Sequence, residues 1–207
     1  MHHNILHRVN DYYTQKINAH GPTPQGVDWN SLASQNIRFD VLSSLFKNDT
    51  AFTVLDYGCG YGSLFEYIQH DHPQFNYTGF DVSPAMISTA KSLYSLHANA
   101  QWVNELDAQN NYHYTVASGI FNVKFDTPND IWQNYILDTL QQMNRLSSRG
   151  FAFNVLSNYA DKERMRNDLY YADPLFLFDY CKHHFSKQVA LLHDYNLYEF
   201  TLRITKE

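Results

Sequence analysis

Short apolar runs alternate along the chain with stretches in which apolar residues recur every three or four positions, a strand-then-helix rhythm. Phe52-Thr53-Val54-Leu55-Asp56 is a run of the kind that forms a buried strand. It leads straight into glycines, and a helical spacing then covers 63–69. The same rhythm predicts a strand over 77–81, a helix over 84–96 capped by Ser83, strands over 101–103 and 114–117, and a helix over 130–145. A strand over 150–156, an aromatic-rich helix over 174–185 and two closing strands over 189–193 and 198–204 complete the pattern. The last two are joined by Asp194-Tyr195-Asn196-Leu197, short enough for a hairpin. Upstream, 5–18 and 31–46 carry helical spacing, and His20-Gly21-Pro22-Thr23-Pro24-Gln25-Gly26 separates them.

Repeated strand–helix units require a mostly parallel sheet with helices on both faces. The expected fold is therefore α/β and doubly wound, with seven strands, an antiparallel edge at the C-terminus and an N-terminal helical extension. No repeat or linker divides the chain, so one domain is expected over 1–207: a helical cap over 1–48 and an α/β core over 49–207. After the fifth strand, 157–173 is an insertion of seventeen residues, where about two to six are usual; at the ligand edge of the sheet such a segment predicts a lid.

Composition narrows the function. A chain of 207 residues with 44% hydrophobic side chains holds a core without crosslinks. Fifteen Lys and Arg against 21 Asp and Glu, a net charge of −6, provide no positive field for DNA or for an anionic membrane. The opening residues lack the apolar stretch of a signal peptide, no segment approaches a membrane span, and Cys59 and Cys181 stand far apart, so a cytoplasmic, reduced protein is expected. The eleven histidines have no metal-ligand spacing.

The chemistry concentrates at Asp56-Tyr57-Gly58-Cys59-Gly60-Tyr61-Gly62, where alternate glycines let the backbone turn sharply against a ligand. A dinucleotide fingerprint would need a glycine at position 63, which is Ser63. Asp56 beside the turn suits a ligand carrying an amino group or a sulfonium better than a pyrophosphate. Asp81, 25 residues further on, ends the second strand and is placed to accept both hydroxyls of an adenosine ribose. Cys59, between two glycines, has no base near it in sequence and reads as a bystander.

The tract Val54-Leu55-Asp56-Tyr57-Gly58-Cys59-Gly60-Tyr61-Gly62, with Gly79-Phe80-Asp81-Val82-Ser83-Pro84-Ala85-Met86 and Ala117-Ser118-Gly119-Ile120-Phe121-Asn122, resembles the class I S-adenosylmethionine-dependent methyltransferases. The resemblance implies S-adenosyl-L-methionine as cofactor. Gly58 and Gly60 would pass under its methionine part, with Asp56 beside them, and Asp81 would hold the ribose. Val82 and Met86 would flank the adenine, Asp107 and Ala108 would meet its amine, and Ser118 would lie in the stretch that lines the transfer site. Arg38, sharing a helix face with Gln35, would pair with the methionine carboxylate. No Asn-Pro-Pro-Tyr-like tract follows the fourth strand, which removes support for DNA base methylation.

Methyl transfer requires mainly alignment and exclusion of water. Where the acceptor arrives protonated a base is needed, and His193, Asp194, Tyr195 and Tyr13 are the candidates. The expected acceptor is a small anionic or aromatic molecule enclosed by Tyr12, Tyr13, Trp29, Tyr159, Arg164, Arg166, Tyr170 and Tyr171, bound by a monomer or homodimer. The alternatives are a methyltransferase acting on RNA or protein, which the net charge disfavours, a nicotinamide oxidoreductase, which Ser63 disfavours, and a non-catalytic protein that binds an adenosyl ligand.

Overall fold

In the computed structural model, which describes residues 2–206, the chain runs through α1 (His3–His20), a single turn Pro24–Val27, and α2 (Leu32–Ser43) before entering the sheet. Then follow β1 (Phe52–Tyr57), α3 (Ser63–Asp71), β2 (Phe75–Phe80), α4 (Pro84–Leu93), β3 (Ala100–Val103) and β4 (Tyr112–Ala117). The remainder is α5 (Asn129–Leu146), β5 (Ser147–Leu156), α6 (Pro174–His184), β6 (Gln188–Leu192) and β7 (Glu199–Thr205). The strands form one seven-stranded sheet in the order β3-β2-β1-β4-β5-β7-β6, all parallel except β7. Central strands covered on both faces carry apolar residues at consecutive positions, as with Val54 and Leu55 of β1, both fully buried. One face packs against α5 and α6 through Trp132, Ile136, Phe151 and Leu177, and the other against α2, α3 and α4 through Phe39, Phe65, Tyr77 and Trp102.

Two helix starts follow from their caps. Ser83 Oγ accepts from Met86 N with Pro84 in the first turn, and Asp173 Oδ1 accepts from Leu175 N at 2.9 Å with Pro174 behind it. The end of α4 differs from the expected 84–96: it stops at Leu93, Leu96 stands almost fully exposed, and the Tyr94 ring turns inward to stack on Trp102.

The antiparallel strand is also not at the edge. β7 sits between β5 and β6, and β6 is the outer strand. Burial explains this order: Phe200, Thr201, Leu202 and Ile204 of β7 are fully buried, whereas β6 is half-buried, so the more apolar member of the hairpin takes the inner place.

The N-terminal segment closes over the carboxyl ends of the strands. Thr14 Oγ1 lies 2.9 Å from Ser83 Oγ, Lys16 and Tyr12 both bond Asp28, and Arg8 pairs with Asp126 in the loop after β4. The segment 157–173 does not share this roof. It forms one short turn, Lys162–Arg164, and is stitched to its neighbours by bridges between Val123 and Leu169 and between Ser157 and Ala172. Part of its backbone hydrogen bonds go to the chain beside it and part close its own turns, and none of its residues lines the cavity described below.

Candidate functional site

A cavity of about 850 Å³, its open mouth included, lies at the carboxyl ends of β1, β2 and β4. Its floor is the turn after β1, where Gly58 and Gly60 adopt φ of +84° and +56°, a backbone region that side chains with a Cβ rarely enter. Gly58 N and Cys59 N donate to Phe80 O at 2.7 and 2.9 Å, which binds the turn to the end of β2. Asp81 completes this clasp: Oδ2 accepts from Gly60 N at 2.9 Å and Oδ1 from Ser83 N at 2.8 Å. Gly62 also has a positive φ, +91°, and a Cβ there would in addition strike the Trp102 ring at 2.3 Å.

Burial dominates the electrostatics. It pushes the Asp56 carboxyl up to about 7, against the pull of the Tyr77 hydroxyl bonded to it at 2.6 Å and with a further push from Asp81. Burial likewise raises Asp81 to about 6, against its two amide donors. The Cys59 thiol is raised well above its ordinary value, first by burial and then by these two acids, so it stays protonated and is no nucleophile. Burial also raises the Tyr13 phenol, which therefore keeps its proton and can both donate and accept a hydrogen bond.

A prediction about stability follows from Asp56. A carboxyl raised above its unfolded value destabilises the fold once ionised, so stability is lost as pH rises from about 4 towards 7, by an amount on the order of 4 kcal/mol for a shift of this size. Ligand-free protein is expected to melt at a higher temperature at pH 5.5 than at pH 8, and Asp56→Asn to flatten that slope. Equal slopes for variant and wild type in thermal unfolding would rule the account out.

The structure brings most of the expected residues together. Asp56, Gly58, Gly60, Asp81, Val82, Met86, Ser118 and Tyr13 all line the cavity, and the Ser118 Oγ is buried with no hydrogen-bond partner. Asp107 and Ala108 do not reach it. No helix joins β3 to β4 among the described residues, and the Asp107 carboxylate caps its own exposed turn by accepting from Gln109 N at 2.9 Å. Leu106 instead packs in the cluster that holds Val82, and Asn104 Nδ2 donates to Asp81 O.

His193 is exposed beyond β6, its ring near Tyr159 and Phe200 and outside the cavity wall. Tyr195 bonds Thr201 Oγ1, and Asp194 also lies off the wall. Of the expected acceptor enclosure only Tyr13 and Trp29 line the cavity; Tyr12 is held on Asp28, and Tyr159, Arg164, Arg166, Tyr170 and Tyr171 point to other partners or to solvent.

Arg38 is likewise not open to a ligand carboxylate. Its Nε lies 2.8 and 2.9 Å from the two carboxylate oxygens of Glu199, one terminal nitrogen donates to Ser34 O at 2.7 Å, and the guanidinium lies 3.9 Å over the Trp29 ring. Glu199 also accepts from Asn154 Nδ2, and Asn154 Oδ1 accepts from Gly119 N at 2.6 Å. The circuit closes where Trp29 covers Gly119, leaving no room for a Cβ, which would come within 2.4 Å of the ring. This ring of contacts was missed in the sequence, although Asn154 inside an apolar strand is a signal, since a buried amide requires partners. Gln35, Ile120 and Tyr135 were also missed as wall residues; Gln35 donates to Ser63 Oγ and leaves its Oε1 buried without a partner.

Known proteins share both sequence and fold. Residues 54–150 match the family described as "Methyltransferase domain". A Mycobacterium tuberculosis protein named as a methyltransferase, Rv1506c, is 47% identical over 155 residues, 75% of this chain and 93% of that protein. Among solved structures, magnesium protoporphyrin IX methyltransferase (ChlM) of Synechocystis PCC 6803 with bound SAM has a TM-score of 0.66 at 16% identity, covering 98% of this chain and 97% of its own. Human N-acetylserotonin methyltransferase in complex with SAM has 0.63 at 13%, covering 97% and 57%. The chain belongs to the methyltransferase family, and it shares the fold of the S-adenosylmethionine-bound methyltransferases of known structure.

Proposed function

We propose that this protein binds S-adenosyl-L-methionine in the cavity and directs its methyl group to a small-molecule acceptor. The observation that carries this reading is the clasp of Asp81 on the glycine turn beneath a roofed cavity. The residues present fit the cofactor. A carboxylate has about four acceptor positions, and the two bonds from Gly60 and Ser83 leave Asp81 capacity for both ribose hydroxyls. Val82 and Met86 offer apolar surface for the adenine, Gly58 and Gly60 open backbone beneath the methionine part, and the unpartnered atoms of Ser118 and Gln35 await polar groups. When bound, S-adenosylmethionine supplies an already activated methyl group.

The chain's own work is then to hold, align and dry the site. Leu6, Val9 and Tyr13, three and four residues apart on α1, exclude water from above. Gly119, fixed by Asn154, positions Ser118 and Ile120 at the side. The roof of α1 and Trp29 favours a small molecule over folded RNA or protein, because a macromolecule could reach the cavity only with the roof displaced. Calorimetry is expected to show S-adenosylhomocysteine binding with micromolar or tighter affinity and no binding of NAD. The reverse preference would overturn the reading.

A further inference from the structure

The part of the cavity wall that is not assigned to the ribose or the adenine is uncommon. Leu6 and Val9 come from α1, Trp29 from beyond the first turn, Ile120 from the loop after β4, and Tyr135 from α5. Among the described residues that line the cavity there is no lysine, arginine or histidine. The cations nearest in the fold are already used: Arg38 on Glu199, Lys16 on Asp28 and Arg8 on Asp126. A carboxylate or phosphate entering here would lose its water and find no counter-ion, an arrangement that disfavours an anion strongly. A cation finds no free carboxylate either, because Asp56 accepts from the Tyr77 hydroxyl and the capacity that Asp81 keeps beyond Gly60 and Ser83 goes to the ribose on the reading above.

The wall is also rigid where it is flat. The Trp29 indole is held by the Arg38 guanidinium at 3.9 Å, which is itself anchored at both ends by Glu199 and Ser34, and its edge rests on Gly119. An aromatic ring fixed in this way loses little freedom when a second ring packs against it. We propose that the acceptor is an uncharged, flat aromatic or heteroaromatic small molecule that packs on Trp29. The proposal rests on the reading of this cavity as a methyl-transfer site, and it replaces the anionic or aromatic alternatives left open by the sequence with one of them.

Equilibrium binding tests it on protein saturated with S-adenosylhomocysteine, using one ring frame in four forms: naphthalen-2-ol, naphthalene-2-carboxylate, naphthalen-2-ylmethylammonium and the saturated decalin-2-ol. Naphthalen-2-ol is expected to bind at least tenfold more tightly than each of the others at pH 7. Trp29→Leu is expected to weaken it at least tenfold, and Trp29→Phe to restore most of the loss. Equal or tighter binding of a charged form or of decalin-2-ol overturns the proposal, as does failure of all four to bind the loaded protein. Should Trp29→Leu not fold, the wild-type series still decides. Failure of wild-type protein to take up S-adenosylhomocysteine at all is a different result, and it removes the underlying reading of the site.

Discussion

Asp81→Ala is expected to weaken S-adenosylhomocysteine binding at least a hundredfold in calorimetry while leaving the circular-dichroism spectrum of the fold intact. Two charge-assisted hydrogen bonds to the ribose would be lost, each worth roughly 1.5–3 kcal/mol. The same substitution releases Gly60 N and Ser83 N, so the turn beneath the ligand loses its clasp as well. Asp81→Asn separates the two effects. Its amide oxygen still accepts from one backbone donor, but it brings no charge, and an intermediate loss of about tenfold is expected. An Asp81→Ala protein that binds as wild type would mean that the ligand does not use this strand end.

The second large effect concerns the fold rather than the ligand. Glu199 is almost completely buried and is the counter-ion of Arg38, so Glu199→Ala leaves a guanidinium enclosed without its partner. Removing one member of a buried pair costs about 3–5 kcal/mol, which for a chain of this size corresponds to a fall of roughly 6–20 °C in melting temperature. Glu199→Gln, which can still accept from Arg38 Nε, is expected to lose less. Replacing both residues, Arg38→Met with Glu199→Met, is expected to recover much of the stability, because apolar residues of similar volume often substitute for a buried pair at little cost. Urea unfolding of the three variants measures this; a Glu199→Ala protein within 1 kcal/mol of wild type would show the pair to be unimportant.

These variants also separate position from stability. Asn154 links Glu199 to Gly119, so loosening Glu199 frees the loop that carries Ser118 and Ile120 at the cavity. The double apolar variant is expected to regain its melting temperature while Trp29 loses the cation that holds it.

How far the sequence reached depended on the range of the interaction that decides each feature. Apolar spacing is a local property, and all seven strands and the helices between them were legible from it, with differences of only a few residues at their ends. Gly58, Gly60 and Asp81 were legible too, because a turn with positive φ and a strand-ending carboxylate impose residue types at the positions themselves. Asp107 was misplaced because no helix follows β3, so the loop slackens and its carboxylate caps its own backbone. His193 stands outside because β7 enters the sheet inside β6, and the loop between them falls at the outer edge. Arg38 shows the limit most clearly. Its helix and its closeness to the site could be read, but its partner Glu199 is 161 residues away on a strand whose place in the sheet is set by burial. A charge pairs with whatever opposite charge the packed core brings within a few ångströms, and only the tertiary structure decides which one that is.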